Sequence, residues 1–135
     1  MKTYKKKFPA QQPFFSPLKK KSEIGTIYLQ STRNNTILTL VDHQGNGKGW
    51  ASSGSIGFQH SRKSTTYAAQ AAAENIAKQA IKLGINTVNI IMKGLGYGKQ
   101  SSVRALYKSG LKVIYLVEKT PIPYNGCRPP KKRRK

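Results

Sequence analysis

The stretch IGTIYLQSTRNNTILTLVDHQGNGKGWASS, residues 24–53, decides the fold. Ile24 to Gln30 reads as a strand, and Ile37 to Val41 as a second, apolar and β-branched one. Asn34-Asn35 supply turn chemistry between them. The cluster DHQGNGKG then turns the chain toward a short third strand, Trp50-Ala51-Ser52-Ser53. Three short strands joined by tight turns form an antiparallel meander. A strand tryptophan is more often core than surface, so Trp50 is expected inside, with stacking on a base as the alternative.

Downstream the pattern changes from strand to helix. Residues 54–64 (GSIGFQHSRKS) read as a loop, and Ser64, Thr65 and Thr66 offer an N-cap. The helix that follows runs to about Leu83, burying Ala69, Ala73, Ile76, Ala80 and Leu83 at steps of three and four, and Gly84 stops it. TVNIIM (87–92) is an apolar strand, KGLGYGK a glycine-rich loop, and Ser101 to Ser109 a second helix with Val103, Leu106 and Tyr107 on one side. Lys112 to Val117 is the last strand. A meander followed by strand–helix–strand, β-β-β-α-β-α-β, implies an α/β domain with a mixed sheet covered by helices.

Both ends lie outside that pattern. Residues 1–22 form an arm in which Lys5, Lys6, Lys7, Lys19, Lys20 and Lys21 bracket Pro9, Pro13 and Pro17, a spacing that forbids a helix. Residues 120–135 form a proline-broken basic tail that ends in KKRRK. The domain is therefore expected over residues 23–119. The first twenty residues contain no apolar segment of the secretory kind. No run approaches the roughly eighteen apolar residues of a membrane span.

Charge narrows the partner. The 135 residues carry 25 Lys plus Arg against four acids, a formal net charge of +21. Internal ion pairs can neutralise at most four of those cations, so the compact state calls for an external polyanion. Nucleic acid is the first choice and an anionic membrane surface the second. A lone cysteine, Cys127, excludes an internal disulfide and suits a reducing compartment.

Catalytic readings fit the residues poorly. Gly94, Gly96 and Gly98 follow a strand and precede a helix, with Glu118 beyond, which approaches a dinucleotide fingerprint; but the spacing is G-x-G-x-G, not G-x-G-x-x-G. Glu23, Asp42, Glu74 and Glu118 are the whole supply of carboxylates for a two-metal nuclease. His43, His60 and Cys127 are too few for structural zinc. No cofactor, no metal and no enzymatic activity are expected.

Phosphate contacts fit better. The glycine loop, flanked by Lys93 and Lys99 with Arg104 about one turn into the helix, suits an RNA phosphate. Arg33, Asn34 and Asn35 at the first turn, Lys48 at the second, and Ser61, Arg62 and Lys63 in the long loop offer charge beside hydrogen-bond donors. In the tail the candidates are Asn125, Gly126, Arg128, Lys131, Lys132, Arg133 and Arg134. KKRRK is equally compatible with a nuclear localisation signal.

The strings NNTILTLVDHQGNGKGWASSGSIGF, SRKSTTYAAQAAAE, KGLGYGKQSSVRAL and TPIPYNGCRPPKKRR, spanning about Glu23 to Lys135, resemble the small-subunit ribosomal protein eleven family. That resemblance implies a ribonuclease-H-like fold without nuclease activity, bound to small-subunit ribosomal RNA on the platform. It also implies a tail near the messenger RNA exit side and neighbours that include ribosomal proteins numbered seven and eighteen. Carried over by motif, it assigns RNA contacts to Arg33, Asn34, Ser61, Arg62, Lys63, Lys93, Lys99 and Asn125 through Arg134. The family's bacterial loop usually reads KGPGPGRE; here Leu95 and Tyr97 replace the prolines and Gln100 the acid, and PYNG stands for PHNG. With 19 Lys to six Arg, 11 Ile and seven Asn, these departures suggest an organelle-encoded relative. A mitochondrial ribosome comes first, a plastid one second, and the bacterial cytoplasm is the remaining alternative.

Overall fold

A computed structural model describes residues 24–132. The arm of residues 1–22, with Glu23, Arg133 and Arg134, lies outside them. The elements are β1 (Ile24–Ser31), β2 (Thr36–Val41), β3 (Gly47–Ser52), a short 3-10 turn (His60–Ser64), α1 (Thr66–Lys82), β4 (Thr87–Lys93), α2 (Gly98–Lys108) and β5 (Lys112–Glu118). The element order is the one expected from the sequence.

The strands form one sheet in the order β3-β2-β1-β4-β5. The meander pairs antiparallel, with Leu29 opposite Leu38 and Leu38 opposite Ala51. β4 lies parallel to β1, and β5 parallel to β4. This is the ribonuclease-H-like arrangement. Each of the two late strands is reached through a helix, because parallel neighbours need a long crossover.

Alternation decides which side chains enter the core. Ile27, Leu29, Leu38, Leu40, Val88 and Ile90 point to one face and are fully buried. α1 lies over β2 and β3 and packs closely against α2. Ala68, Ala69, Ala72, Ala73, Ala77 and Ala80 keep α1 thin enough for that approach, with Ile76 filling the centre. Ser102 joins the two helices by donating from its hydroxyl to the carbonyl oxygen of Ala69, 3.2 Å away.

The helix ends follow local rules. The Thr65 side chain accepts from the Ala68 amide at 3.2 Å, capping α1. At the other end Gly84 adopts φ +82, and the amides of Gly84 and Ile85 bond back to Ile81 and Ala80 at 3.0 Å each. That pair of bonds is a Schellman stop, and Ile85 is buried as its hydrophobic contact.

Four expectations need correction. Trp50 is not core: it is 63% exposed, because it sits on the sheet face opposite the helices. Leu83 is likewise exposed, since it has passed out of the helix into its cap. α2 starts at Gly98, three residues before Ser101. Gly98 enters helical geometry because only a glycine fits against Ala69, where an added Cβ would lie 2.6 Å from the alanine methyl. Finally, β3 begins at Gly47 and runs longer than Trp50–Ser53, with a register irregularity at Leu40/Val41.

Candidate nucleic-acid interface

Chain direction sorts the loops into two ends. β1, β3, β4 and β5 all finish at the end where β2 begins, and both helices start there. This end therefore collects the β1–β2 turn, the loop of residues 53–65, the glycine loop, the start of the tail and the N-termini of α1 and α2. Helix N-termini carry partial positive charge and free amide donors, so the same end is electropositive before any side chain is counted.

The side chains add to it. Arg33 and Asn34 are exposed at the first turn, while Asn35 is half-buried. Asn35 is partly committed to the turn itself: its side chain accepts from the Thr36 amide at 3.0 Å. Ser61 and Arg62 are exposed and Lys63 half-buried on the 3-10 turn. Ile56 through Arg62 wall an open cleft of about 630 Å³. His60 opens that turn at φ 47, a left-handed backbone unusual for a residue with a side chain. Phe58 holds the loop to α1 through an edge-to-face contact with Tyr67, ring centroids 5.8 Å apart.

The glycine loop is built for close packing. The Gly94 amide donates to the Thr120 hydroxyl at 2.9 Å, and the Gly96 amide to the Ser31 carbonyl at 3.0 Å. A Cβ on Gly94 would run into the Ser31 carbonyl, and one on Gly96 into the Thr32 carbonyl. These glycines thus seat the loop on the end of β1, and two of its amides bond inside the protein. The helix that follows has no side-chain cap: Tyr97 occupies the N-cap position without a bond to the first turn. The Lys99 amide bonds back to the Gly96 carbonyl at 3.4 Å, and a helix N-terminus of this kind favours an anion.

The cations flanking the loop differ. Lys93 is exposed at the end of β4. Lys99 forms an ion pair with Glu118 at 2.7 Å. The Lys99 ammonium, followed by the Thr120 hydroxyl, holds the Glu118 carboxyl below its usual range. Arg104 is exposed, and since α2 starts at Gly98 it lies six residues in, about 9 Å along the axis rather than one turn. Lys119, which the sequence reading passed over, is exposed at this same end, and its amide bonds the Met92 carbonyl at 2.8 Å. Its only signal was its place just after the last strand.

Lys48 stands apart. It lies near the start of β3, at the opposite end of the sheet, where it pairs with Asp42 at 3.2 Å. Burial alone would raise the Asp42 pKa, but the Asn46 amide, Lys48 and the Gln44 amide outweigh it and bring it down to about 2. Asp42 and Glu118 thus occupy opposite ends of the sheet. Among the described residues no three His, Cys, Asp or Glu side chains gather where they would hold a metal ion.

The tail leaves at Thr120 and is exposed through Lys132. Asn125 takes φ 52, and Gly126 folds back over Pro123. Arg128, Lys131, Lys132 and the thiol of Cys127 are all exposed. Among the described residues no helix is long and apolar enough to cross a membrane.

A ribonuclease-H-like domain with cations and helix N-termini gathered at one end, and a basic tail leaving from that end, defines a class of RNA-binding α/β proteins. The model of the family described as ribosomal protein S11 matches residues 25–134. A relative described as small ribosomal subunit protein uS11m, from Marchantia polymorpha, is 60% identical over 104 residues, covering 77% of this chain and 83% of the relative. The chain belongs to the ribosomal protein S11 family, and is a structural constituent of the small ribosomal subunit.

Proposed function

We propose that this chain is a non-catalytic, ribosomal-RNA-binding protein of the mitochondrial small subunit. The end that collects both helix N-termini docks on folded ribosomal RNA. Arg33, Asn34, Ser61, Arg62, Lys63, Lys93 and Arg104 meet phosphates there, and the tail from Asn125 to Arg134 extends along a neighbouring RNA groove. By family resemblance the site is the platform near the messenger RNA exit side, beside ribosomal proteins numbered seven and eighteen. The mitochondrial assignment follows the uS11m relative together with the lysine-rich composition.

One observation carries this reading. The topology brings loops that are separated in sequence to a single end of the sheet, where, among the described residues, exposed cations outnumber acids and the one acid present, Glu118, is already paired. Phosphate is the ligand that such an end lacks. Removing residues 120–135 tests it. The shortened protein should keep its folded domain and lose most of its affinity for small-subunit ribosomal RNA. Undiminished binding would overturn the tail's role. Failure of the tagged full chain to sediment with mitochondrial small subunits would overturn the assignment.

A further inference from the structure

The sheet has two faces, and the helices cover one. On the other, register lines up a row of side chains. Trp50 of β3 lies opposite Thr39 of β2, Thr39 opposite Tyr28 of β1, Tyr28 beside Ile91 of β4, and Ile91 beside Val117 of β5. Trp50 is 63% exposed and Tyr28 45%. The next row holds Ile37, Gln30 and Lys93, and the row on the other side pairs Thr26 with Asn89. The Asn89 side-chain oxygen is buried without a hydrogen-bond partner.

This composition is informative. Large aromatic rings left exposed on a strand gain nothing from the core, and they sit here among groups that hydrogen-bond in both senses: Thr26, Thr39, Gln30 and Asn89. Among the described residues the face carries no free carboxylate. Asp42 is buried and paired with Lys48, Glu118 is paired with Lys99, and Glu74 sits on α1, bonded to Gln70. The exposed cation Lys93 stands at one end of the face instead, in register with Gln30.

We infer that the open sheet face binds unpaired RNA bases, which stack on Trp50 and Tyr28 while their backbone passes Lys93. The inference rests on the RNA-binding reading above and gives it a second surface. Aromatic rings accept any base by stacking, and the polar side chains between them meet base edges. Two strand spacings of about 4.8 Å separate the rings by about 10 Å. Bases stacked in a duplex strand are about 3.4 Å apart, so this spacing suits splayed, single-stranded nucleotides. The chain's +21 charge favours RNA over a protein occupant, which would need to be strongly acidic.

Trp50 is the only tryptophan, so its emission reports on this face alone. The full chain is titrated with a short oligouridylate carrying one iodouridine and, separately, with duplex RNA. Labelled-RNA anisotropy follows binding, and Trp50 emission follows stacking. Oligouridylate should quench Trp50 at the same midpoint as the anisotropy change, and light should crosslink it to Trp50 or Tyr28. W50A and Y28A should each weaken single-strand binding roughly 5- to 150-fold, with duplex binding kept. W50F, which retains a ring, should restore most of the loss. Single-strand binding with unchanged Trp50 emission and crosslinks elsewhere overturns the inference and leaves the RNA-binding reading standing. Absence of binding to either RNA overturns both. Trp50 already shielded from acrylamide in the free protein, or shielded on self-association, shows the face occupied by protein and also overturns it.

Discussion

The amide of Gly94 donates a 2.9 Å hydrogen bond to the hydroxyl of Thr120, 26 residues further along the chain. The same hydroxyl donates to the Glu118 carboxylate, whose other oxygen holds the Lys99 ammonium. Four residues thus fasten the glycine loop, the first turn of α2, the end of β5 and the root of the tail into one unit. The root of the tail is thereby tied to the domain through the Thr120 hydroxyl.

Thr120→Val keeps the shape and removes both bonds. It should cost about 1 kcal/mol of stability, with the Gly94 amide left half-buried and unpaired. RNA affinity should fall by less than it does on removal of residues 120–135, since the tail keeps its charges. Urea denaturation and filter binding measure the two effects; unchanged stability would show that the clamp is idle.

The Lys99–Glu118 pair makes the cations of this end unequal. Lys99 already has its counter-ion, so Lys99→Ala should leave the salt dependence of RNA binding nearly unaltered. Arg62→Ala should reduce the slope by roughly one phosphate's share, ~0.7 to 0.9. Glu118→Gln releases the Lys99 ammonium and should steepen the slope by a similar amount. Binding isotherms over a series of salt concentrations distinguish the three variants. Equal losses for Lys99→Ala and Arg62→Ala would contradict the pairing.

Asp42 gives the β2–β3 turn a dependence on acid. Its carboxyl titrates at about 2 in the folded protein against an ordinary 3.8, so the folded state binds the proton more weakly than the unfolded one. The stabilisation is complete above about pH 4 and is lost as pH falls toward 2. Glu118, also depressed, changes stability in the same sense, so the informative quantity is a difference. The melting temperature of the parent minus that of Asp42→Asn should be positive at neutral pH and shrink below pH 4. A difference that stays constant would refute the role of the carboxylate.

Gly96→Ala tests whether the loop depends on close packing. The added methyl would strike the Thr32 carbonyl and the Ser31 hydroxyl, neither of which can retreat without disturbing the end of β1. A loss of about 1–3 kcal/mol is expected from denaturation curves. Gly110→Asn, at φ +88 with open space around it, should cost far less because asparagine tolerates that backbone. A penalty at Gly96 no larger than that at Gly110 would contradict the crowding.

Much of this was readable before folding. Alternation and turn residues gave the meander, and Thr65 and Gly84 marked the ends of α1, because those signals act over a few neighbouring residues. What escaped the sequence depends on distant partners. Gly98 looks like loop until Ala69 is brought against it. Trp50 looks like core until one face of the sheet is found open. Lys99 and Lys48 look like free cations until Glu118 and Asp42 are placed beside them. Arg33, Arg62 and Lys93 were recognisable as candidates, but only the strand directions put them at one end.

The most direct test of the account is the salt dependence of binding between the full chain and its small-subunit ribosomal RNA. If about ten phosphates are neutralised, the logarithm of the association constant should fall with the logarithm of salt concentration with a slope near −7 to −9. A slope close to zero would contradict the account, since affinity would then owe nothing to the surplus of lysine and arginine.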